Sequence, residues 1–270
     1  MTELKNEWRI DFRQTAADCN AQSQLPLPLI VQRVIDIATY HANHLNIGFD
    51  RLERENKRWV LTRLTIEMRR HPRIGEDYSM ITWLESFNRH FSERNMAFVT
   101  PDGEALGYIR TIWSIINKET RQSEDIPDPE RLADVINPRP CPIEKFRRIR
   151  PISTPEASDT YRFRYCDTDF NRHVNSGRYV ELILNHFPME YFDDKNVCRL
   201  ELAYMKECYC GDEARVDYVN EADNAIIAEI NVGGEAICRA RLTFANAQCT
   251  MHSSQCIIGS AKGQTTRTTY

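Results

Sequence analysis

Apolar positions fall at helical spacing early in the chain and at strand spacing over most of the remainder. Leu29, Ile30, Val31, Val34, Ile35, Ile37, Ala38 and Leu45 recur every three to four residues, with Pro26 and Pro28 in the opening turn and Gly48 past the end. That pattern predicts a long helix apolar enough to be central. A short alternating run at 8–14 precedes it. Strand-like runs at 58–70, 77–87, 89–100 and 105–117 come after it, punctuated by Gly75 and by the turn Pro101-Asp102-Gly103. One helix ahead of consecutive strands predicts an antiparallel α+β arrangement rather than a parallel βαβ sheet.

Residues 118–156 break the rhythm with seven prolines and many charges, which predicts a linker carrying one short helix near 129–135. The element order then recurs: a strand at 159–166, a helix at 177–187 ending before Pro188, and strands at 198–208, 214–220, 225–232 and 235–245. Details recur with it. Gly75 follows Arg63-Leu64 at the distance at which Gly211 follows Arg199-Leu200, and Gly103-Glu104-Ala105-Leu106 matches Gly234-Glu235-Ala236-Ile237. Asp18, Asn20 and Gln22 precede the first helix much as Asp169, Asn171 and His173 precede the second. The chain therefore reads as a duplication: a first unit at 1–117, the linker, a second unit at 157–246, and a polar tail at 247–270 expected to be partly disordered.

Composition narrows the function classes. A net charge of -4 argues against general nucleic-acid binding. No apolar run is long enough to span a bilayer, and the first residues lack the apolar core of a signal peptide. Nine cysteines, an odd number without framework spacing, predict free thiols in a reducing cytoplasm. His41 and His44 on the first helix have no companion ligands in sequence, so no metal is expected. No phosphate-loop or dinucleotide fingerprint is present, so no cofactor is expected either.

The chemistry concentrates in Asp167-Thr168-Asp169-Phe170-Asn171-Arg172-His173-Val174-Asn175. If this stretch is extended, Asp169, Asn171 and His173 project to one side, and Asn175 or Ser176 caps the helix that begins near Gly177. The helix N-terminus would then place backbone N–H groups beside an acid, an amide and an imidazole, a layout suited to polarising a carbonyl and moving protons next to it. Asp167 reads as structural, bonding loop N–H groups.

This stretch, continued to Tyr179 and joined to Lys206-Glu207-Cys208, resembles the acyl-ACP thioesterases over about residues 10–246. The resemblance implies a tandem hotdog fold, each half a long central helix wrapped by an antiparallel sheet. It implies hydrolysis of fatty acyl-[acyl carrier protein], with acyl carrier protein as partner and no cofactor. The absence of the organelle transit segment that plant members carry suggests a bacterial-type protein. The family's catalytic positions fall on Asp169, Asn171, His173, Glu207 and Cys208. Two roles compete within the family: the thiol as nucleophile, or a carboxylate that activates water. Neighbours in a predicted strand face opposite ways, so Glu207 and Cys208 should not share one target atom. Glu207 is the favoured base, with His173 and Asn171 positioning and Cys208 second. Gln22 would stand where His173 stands, and His71-Pro72 where Glu207-Cys208 stand, so one active site per chain is expected, with its polar residues from the second half. Ile30, Val34 and Ala38 are the candidate walls of the acyl pocket. The run Lys145-Phe146-Arg147-Arg148-Ile149-Arg150 is a candidate docking patch for the acidic carrier. Two departures stand out: Ser176 where the family often has a second Asn, and Tyr209 where it often has Gly. Competing readings are an acyl-CoA thioesterase of the same fold and a non-catalytic acyl-binding protein. Homodimer formation is left open.

Overall fold

The computed structural model describes residues 5–221 and 224–246; the predicted tail lies outside the described residues. The first helix, α1 (Leu27–His44), starts on Pro26 and buries Ile30, Val31, Val34, Ile37, Ala38 and His41 along one stripe. His41 is a core histidine. Its ring accepts from the Arg94 guanidinium at 2.7 Å and faces the Lys5 carbonyl at 3.0 Å, and burial pushes it down to about 3, so it is neutral.

The strands of the first half are β1 (Glu7–Arg13), β2 (Lys57–Met68), β3 (Asp77–Phe87), β4 (Phe91–Val99) and β5 (Ala105–Asn117). A two-residue strand, β6 (Ser123–Glu124), pairs with β5. The second half supplies β7 (Ala157–Arg162), β8 (Lys195–Tyr204), β9 (Glu213–Glu221), β10 (Ala225–Val232) and β11 (Glu235–Asn246). They join in one sheet of order β1-β3-β4-β5-β2-β8-β11-β10-β9-β7. This order is a palindrome. Exchanging each strand of the first half for its counterpart in the second returns the same order reversed.

The register at the centre carries the same symmetry. Between β2 and β8, Arg63 faces Ala203, Thr65 faces Glu201 and Glu67 faces Arg199. Arg63 and Arg199 stand 136 residues apart, as do Glu67 and Ala203. A pseudo-twofold axis therefore passes through the Thr65–Glu201 pair. The duplication read from short sequence matches is expressed in the hydrogen-bond ladder.

Alternation along the strands sends Leu64, Ile66, Met68, Leu200 and Leu202 onto the helices, all buried. Each such side chain taken from water stabilises by about 1.5–3 kcal/mol. The opposite face is polar. There Glu201 is paired with Arg199 at 3.0 Å and with Arg241 at 3.3 Å. The chain between the halves covers this face and is no free tether. The backbone N–H of Arg147 donates to Glu201, Arg199 donates to the Glu144 carbonyl, and Arg110 holds the carbonyls of Cys141 and Ile143. Lys145 and Arg147 of the candidate docking run are engaged in ion pairs with Glu93 and Glu144.

The second helix, α4 (Ser176–Leu184), follows two helices of the first half and linker, α2 (Phe49–Arg54) and α3 (Pro129–Ala133). It has nine residues against eighteen in α1, so the expectation of a long helix in each half holds for the first half only. The periodic stretch 177–187 overran its end, because Asn185 closes the helix before His186 turns to stack on Tyr218. A short helix α5 (Tyr191–Asp194) fills the rest of the interval. The two principal helices meet near their starts. A Cβ on Gly177 would lie 2.9 Å from the Pro28 carbonyl oxygen, so only glycine allows this approach.

Candidate active site

The stretch 168–174 is a hairpin turn rather than an extended segment. Thr168 pairs with Val174, the Asp169 N–H donates to the His173 carbonyl, and the Arg172 N–H donates to the Asp169 carbonyl. Arg172 takes a positive φ of 64° to close it. The alternating side chains do not share a strand face. Asp169 instead turns its carboxylate inward, where Oδ1 accepts the N–H of Asn171 at 2.8 Å and of His173 at 3.3 Å. Asp and Asn stabilise turns in this manner by local side-chain to backbone bonds.

Asp167 ties the turn to α4. It is buried and accepts from the Arg164 N–H (2.6 Å), the Tyr161 hydroxyl (3.1 Å) and Arg178 (2.6 Å), while its carbonyl accepts the Asn175 N–H. Burial alone would raise its pKa, but these donors hold the carboxyl below its ordinary range. Asn175 caps α4 by accepting the Gly177 N–H at 2.8 Å. That bond commits one of the N–H groups expected to serve an oxyanion, and the Arg178 N–H is committed to the Asn175 carbonyl.

Glu207 and Cys208 lie beyond the end of β8, in the loop that follows Tyr204, so the strand expected at 198–208 stops four residues early. They nonetheless diverge. The Cys208 carbonyl accepts the Val174 N–H at 2.8 Å, and its side chain is fully buried against Tyr179. Burial pushes the thiol up to about 11, although the Tyr179 hydroxyl donates to the sulfur. Glu207 points the other way. Its Oε1 stands 3.3 Å from His173 Nδ1, and its Oε2 is ion-paired with Arg121. Both His173 and Glu207 keep limited solvent access, 15% and 25% of their side-chain surface. Tyr209 lays its ring edge-on to the imidazole at 5.2 Å, so an aromatic group stands against His173.

The structure thus brings together His173, Glu207 and the turn bearing Asn171 and Asp169, and turns Cys208 away. Sequence reading missed Arg121. It lies in the β5–β6 turn, at the start of the linker, with a φ of 60°, 86 residues from its partner, and no motif marks it. Its pairing also amends the expectation that the second half alone would supply the polar groups.

The equivalent corner of the first half has the same backbone with other side chains. The Asn20 N–H bonds the Gln24 carbonyl, the Asn20 side chain accepts from Gln22 and Gln24, and Ser23 has a φ of 59°. Gln24 pairs with Arg73 as His173 pairs with Tyr209, and the Leu25 N–H bonds Pro72 as Val174 bonds Cys208. So Asn20, Gln22 and Gln24 answer to Asp169, Asn171 and His173. The expected match of Gln22 with His173 was two residues out of register, yet a glutamine still replaces the imidazole. His71 stands for Glu207 and Pro72 for Cys208.

Two helix-bearing antiparallel halves around a pseudo-twofold axis, with one corner rich in titratable groups, define a tandem hotdog protein. The sequence matches the family models described as acyl-ACP thioesterase N-terminal domain over residues 3–133 and acyl-ACP thioesterase C-terminal domain over residues 153–246. The chain belongs to the acyl-ACP thioesterase family. It is 34% identical to a crystallographically solved acyl-ACP thioesterase from Bacteroides thetaiotaomicron, with a TM-score of 0.81 covering 89% of this chain and 98% of that one. The 12:0-ACP thioesterase from Umbellularia californica shares the fold, with a TM-score of 0.78 at 19% identity over 91% of this chain and 100% of that one. A chloroplastic acyl-[acyl-carrier-protein] hydrolase of Cuphea viscosissima is 31% identical over 175 residues, 61% of this chain and 42% of that protein. The chain spans about half the length of the curated relatives it matches.

Proposed function

We propose that the chain hydrolyses the thioester of a fatty acyl chain carried on acyl carrier protein, at one site per chain, with water activated by Glu207. The observation that carries this reading is the His173–Glu207 contact beside the N-terminus of α4, in the half whose counterpart has glutamine and histidine at those positions. The carboxylate takes a proton from water as the water oxygen bonds to the thioester carbon. The C–S bond then breaks, and the proton passes to the departing thiolate, leaving a free fatty acid and the carrier's thiol. His173 orients the carboxylate through Nδ1. Asn171, held at the tip of its turn, meets the developing oxyanion together with the positive end of α4. Asp169 acts by shaping the turn, since its Oδ1 accepts two backbone N–H groups and its Oδ2 accepts the Asn171 side-chain amide at 3.5 Å.

Cys208 is a poor nucleophile on this geometry. A buried thiol pushed up to about 11 is almost wholly protonated near neutral pH. Its role is to pack under the turn with Tyr179. The exposed Phe170 at the tip of the turn and the exposed Tyr209 supply an apolar rim for the incoming substrate arm. The first half contributes core wall through α1, where Ile30, Val34 and Ala38 lie buried. Among the described residues no helix is long and apolar enough to cross a membrane.

The test is steady-state hydrolysis of matched acyl chains on acyl carrier protein and on coenzyme A. A kcat/KM preference for the carrier-bound substrate supports the reading. Preference for the coenzyme A thioester makes the protein an acyl-CoA hydrolase, and no turnover of either leaves acyl binding alone.

A further inference from the structure

The corner of the first half that answers to the candidate active site is not a blank copy. It opens into a cavity of about 230 Å³, lined by Gln24, Met68, Arg69, Arg70, Arg73 and Val197 among others. That exceeds the roughly 150 Å³ that accommodates benzene in an engineered apolar cavity.

The backbone fixes which residues correspond. The N–H groups of Arg69 and Arg70 both reach the Leu106 carbonyl, at 2.9 and 3.3 Å. Those of Met205 and Lys206 both reach the Ile237 carbonyl, at 2.9 and 3.3 Å. Arg69, Arg70 and Arg73 therefore occupy the places of Met205, Lys206 and Tyr209, while Glu76 occupies that of Asp212. Where the second half has one cation, the first has three guanidinium groups against a single carboxylate. Glu76 is bonded to Arg70 at 2.7 Å and to the Arg73 N–H at 3.1 Å, so it offsets only part of the charge. Arg69 and Arg73 are exposed along the cavity. His71 is tied to the Leu25 carbonyl at 2.8 Å and serves the wall rather than proton transfer.

We propose that this cavity is a binding site for a compact oxyanion on a short carbon stem, a carboxylate or a phosphate ester. The guanidinium forks of Arg69 and Arg73 would take the anionic oxygens, and Met68 and Val197 the carbon. The two chemical sources are a released fatty carboxylate and a phosphopantetheine-type phosphate. The contrast with the second half rests on the catalytic reading of that half; the cavity and its charge do not.

The test is isothermal titration of the full chain with sodium octanoate, inorganic phosphate and coenzyme A, in the wild type, Arg69→Gln/Arg73→Gln and Gln24→Trp. Both arginines are exposed, so the double variant should melt like the wild type. Gln24→Trp fills the cavity and leaves its charge in place, and it reports independently of the arginines. Saturable binding of at least one probe to the wild type, weakened at least about tenfold in either variant, supports the site. Binding of octanoate with phosphate silent assigns the carboxylate source; binding of phosphate and coenzyme A assigns the phosphate source. No saturable binding of any probe, or equal affinity in wild type and both variants, overturns the proposal. Because binding is read directly, it can fail while hydrolysis stands, and hydrolysis can fail while binding stands.

Discussion

Glu207→Gln isolates the proton-accepting role from the shape of the side chain. The amide oxygen still reaches His173 Nδ1, which the carboxylate meets at 3.3 Å, but it cannot take a proton from water. A positioned general base contributes about 10²- to 10⁴-fold to rate, a barrier change of about 3–5 kcal/mol. The stability cost should be far smaller. The pair that Gln breaks is the one with Arg121, whose side chain is 41% exposed, and such partly solvated pairs contribute about 0–1 kcal/mol. Melting should therefore move by no more than about 2–4 °C.

Thiol release from acyl-[acyl carrier protein] would be followed at saturating and limiting substrate. The expectation is a kcat lowered at least about a hundredfold with KM within about threefold. Adding His173→Ala to Glu207→Gln should cost little more, since the two act as one unit. A folded Glu207→Gln enzyme that keeps more than about a tenth of wild-type kcat would refute the assignment, because no base contribution that small fits the range expected of one.

Cys208→Ala should keep kcat within about threefold, and wild-type rate should not climb tenfold per pH unit between about pH 8 and 10. A thiolate nucleophile held up to about 11 would require that climb, with about three thiolates in ten thousand at pH 7.5. A trapped acyl-enzyme seen by intact-mass analysis would contradict this. Arg121→Gln should lower kcat by less than about tenfold, with Arg121→Lys recovering part of it, because orientation by a partly exposed pair is worth about 1 kcal/mol or less. Asp167→Asn should destabilise by about 2 kcal/mol in chemical denaturation, toward the low end for a buried acid because Arg178 stays a third exposed and can be solvated. Since the folded carboxyl of Asp167 is held below its unfolded value, its contribution is present above about pH 4 and is lost as pH falls below that. The variant should be less acid-sensitive than the wild type.

What was legible in the sequence is what short-range physics dictates. The apolar stripe from Leu29 to Ala38 needs no partner to be recognised, and α1 forms along it. The antiparallel strands are marked by alternation and by Gly75, Gly103, Gly211 and Gly234, all at positive φ. The 136-residue offset between Arg63 and Arg199 was visible before the β2–β8 ladder gave it meaning. The turn at Asp169 was misread for a specific reason. Alternating polar residues look like a strand, and the usual glycine of a tight turn is replaced by Arg172, which takes a positive φ while its N–H bonds the Asp169 carbonyl and its neighbours bond the Asp169 carboxylate. Arg121 was illegible because its partner is supplied by the fold. Nothing local to the β5–β6 turn says that Glu207 lies opposite.

The two offsets in the duplication bear on how one chain came to have unequal corners. At the axis and in the loop after β2 and β8 the halves differ by 136 residues, whereas in the turns before α1 and α4 they differ by 149, as Asn20 and Asp169 show. The hydrogen-bond ladder between β2 and β8 allows no slippage, because a one-residue shift would drive Leu64 and Leu202 to the polar face. The segments between the outer elements are free of that constraint and have changed length and charge. A homodimer of one hotdog unit would repeat any substitution in both corners, so three arginines gained in one would also appear beside the carboxylate of the other. Joining the units in one chain removes that coupling. Glu207 can then pair with Arg121 from the β5–β6 turn, while Arg69, Arg70 and Arg73 gather in the corner where His71 stands in its place.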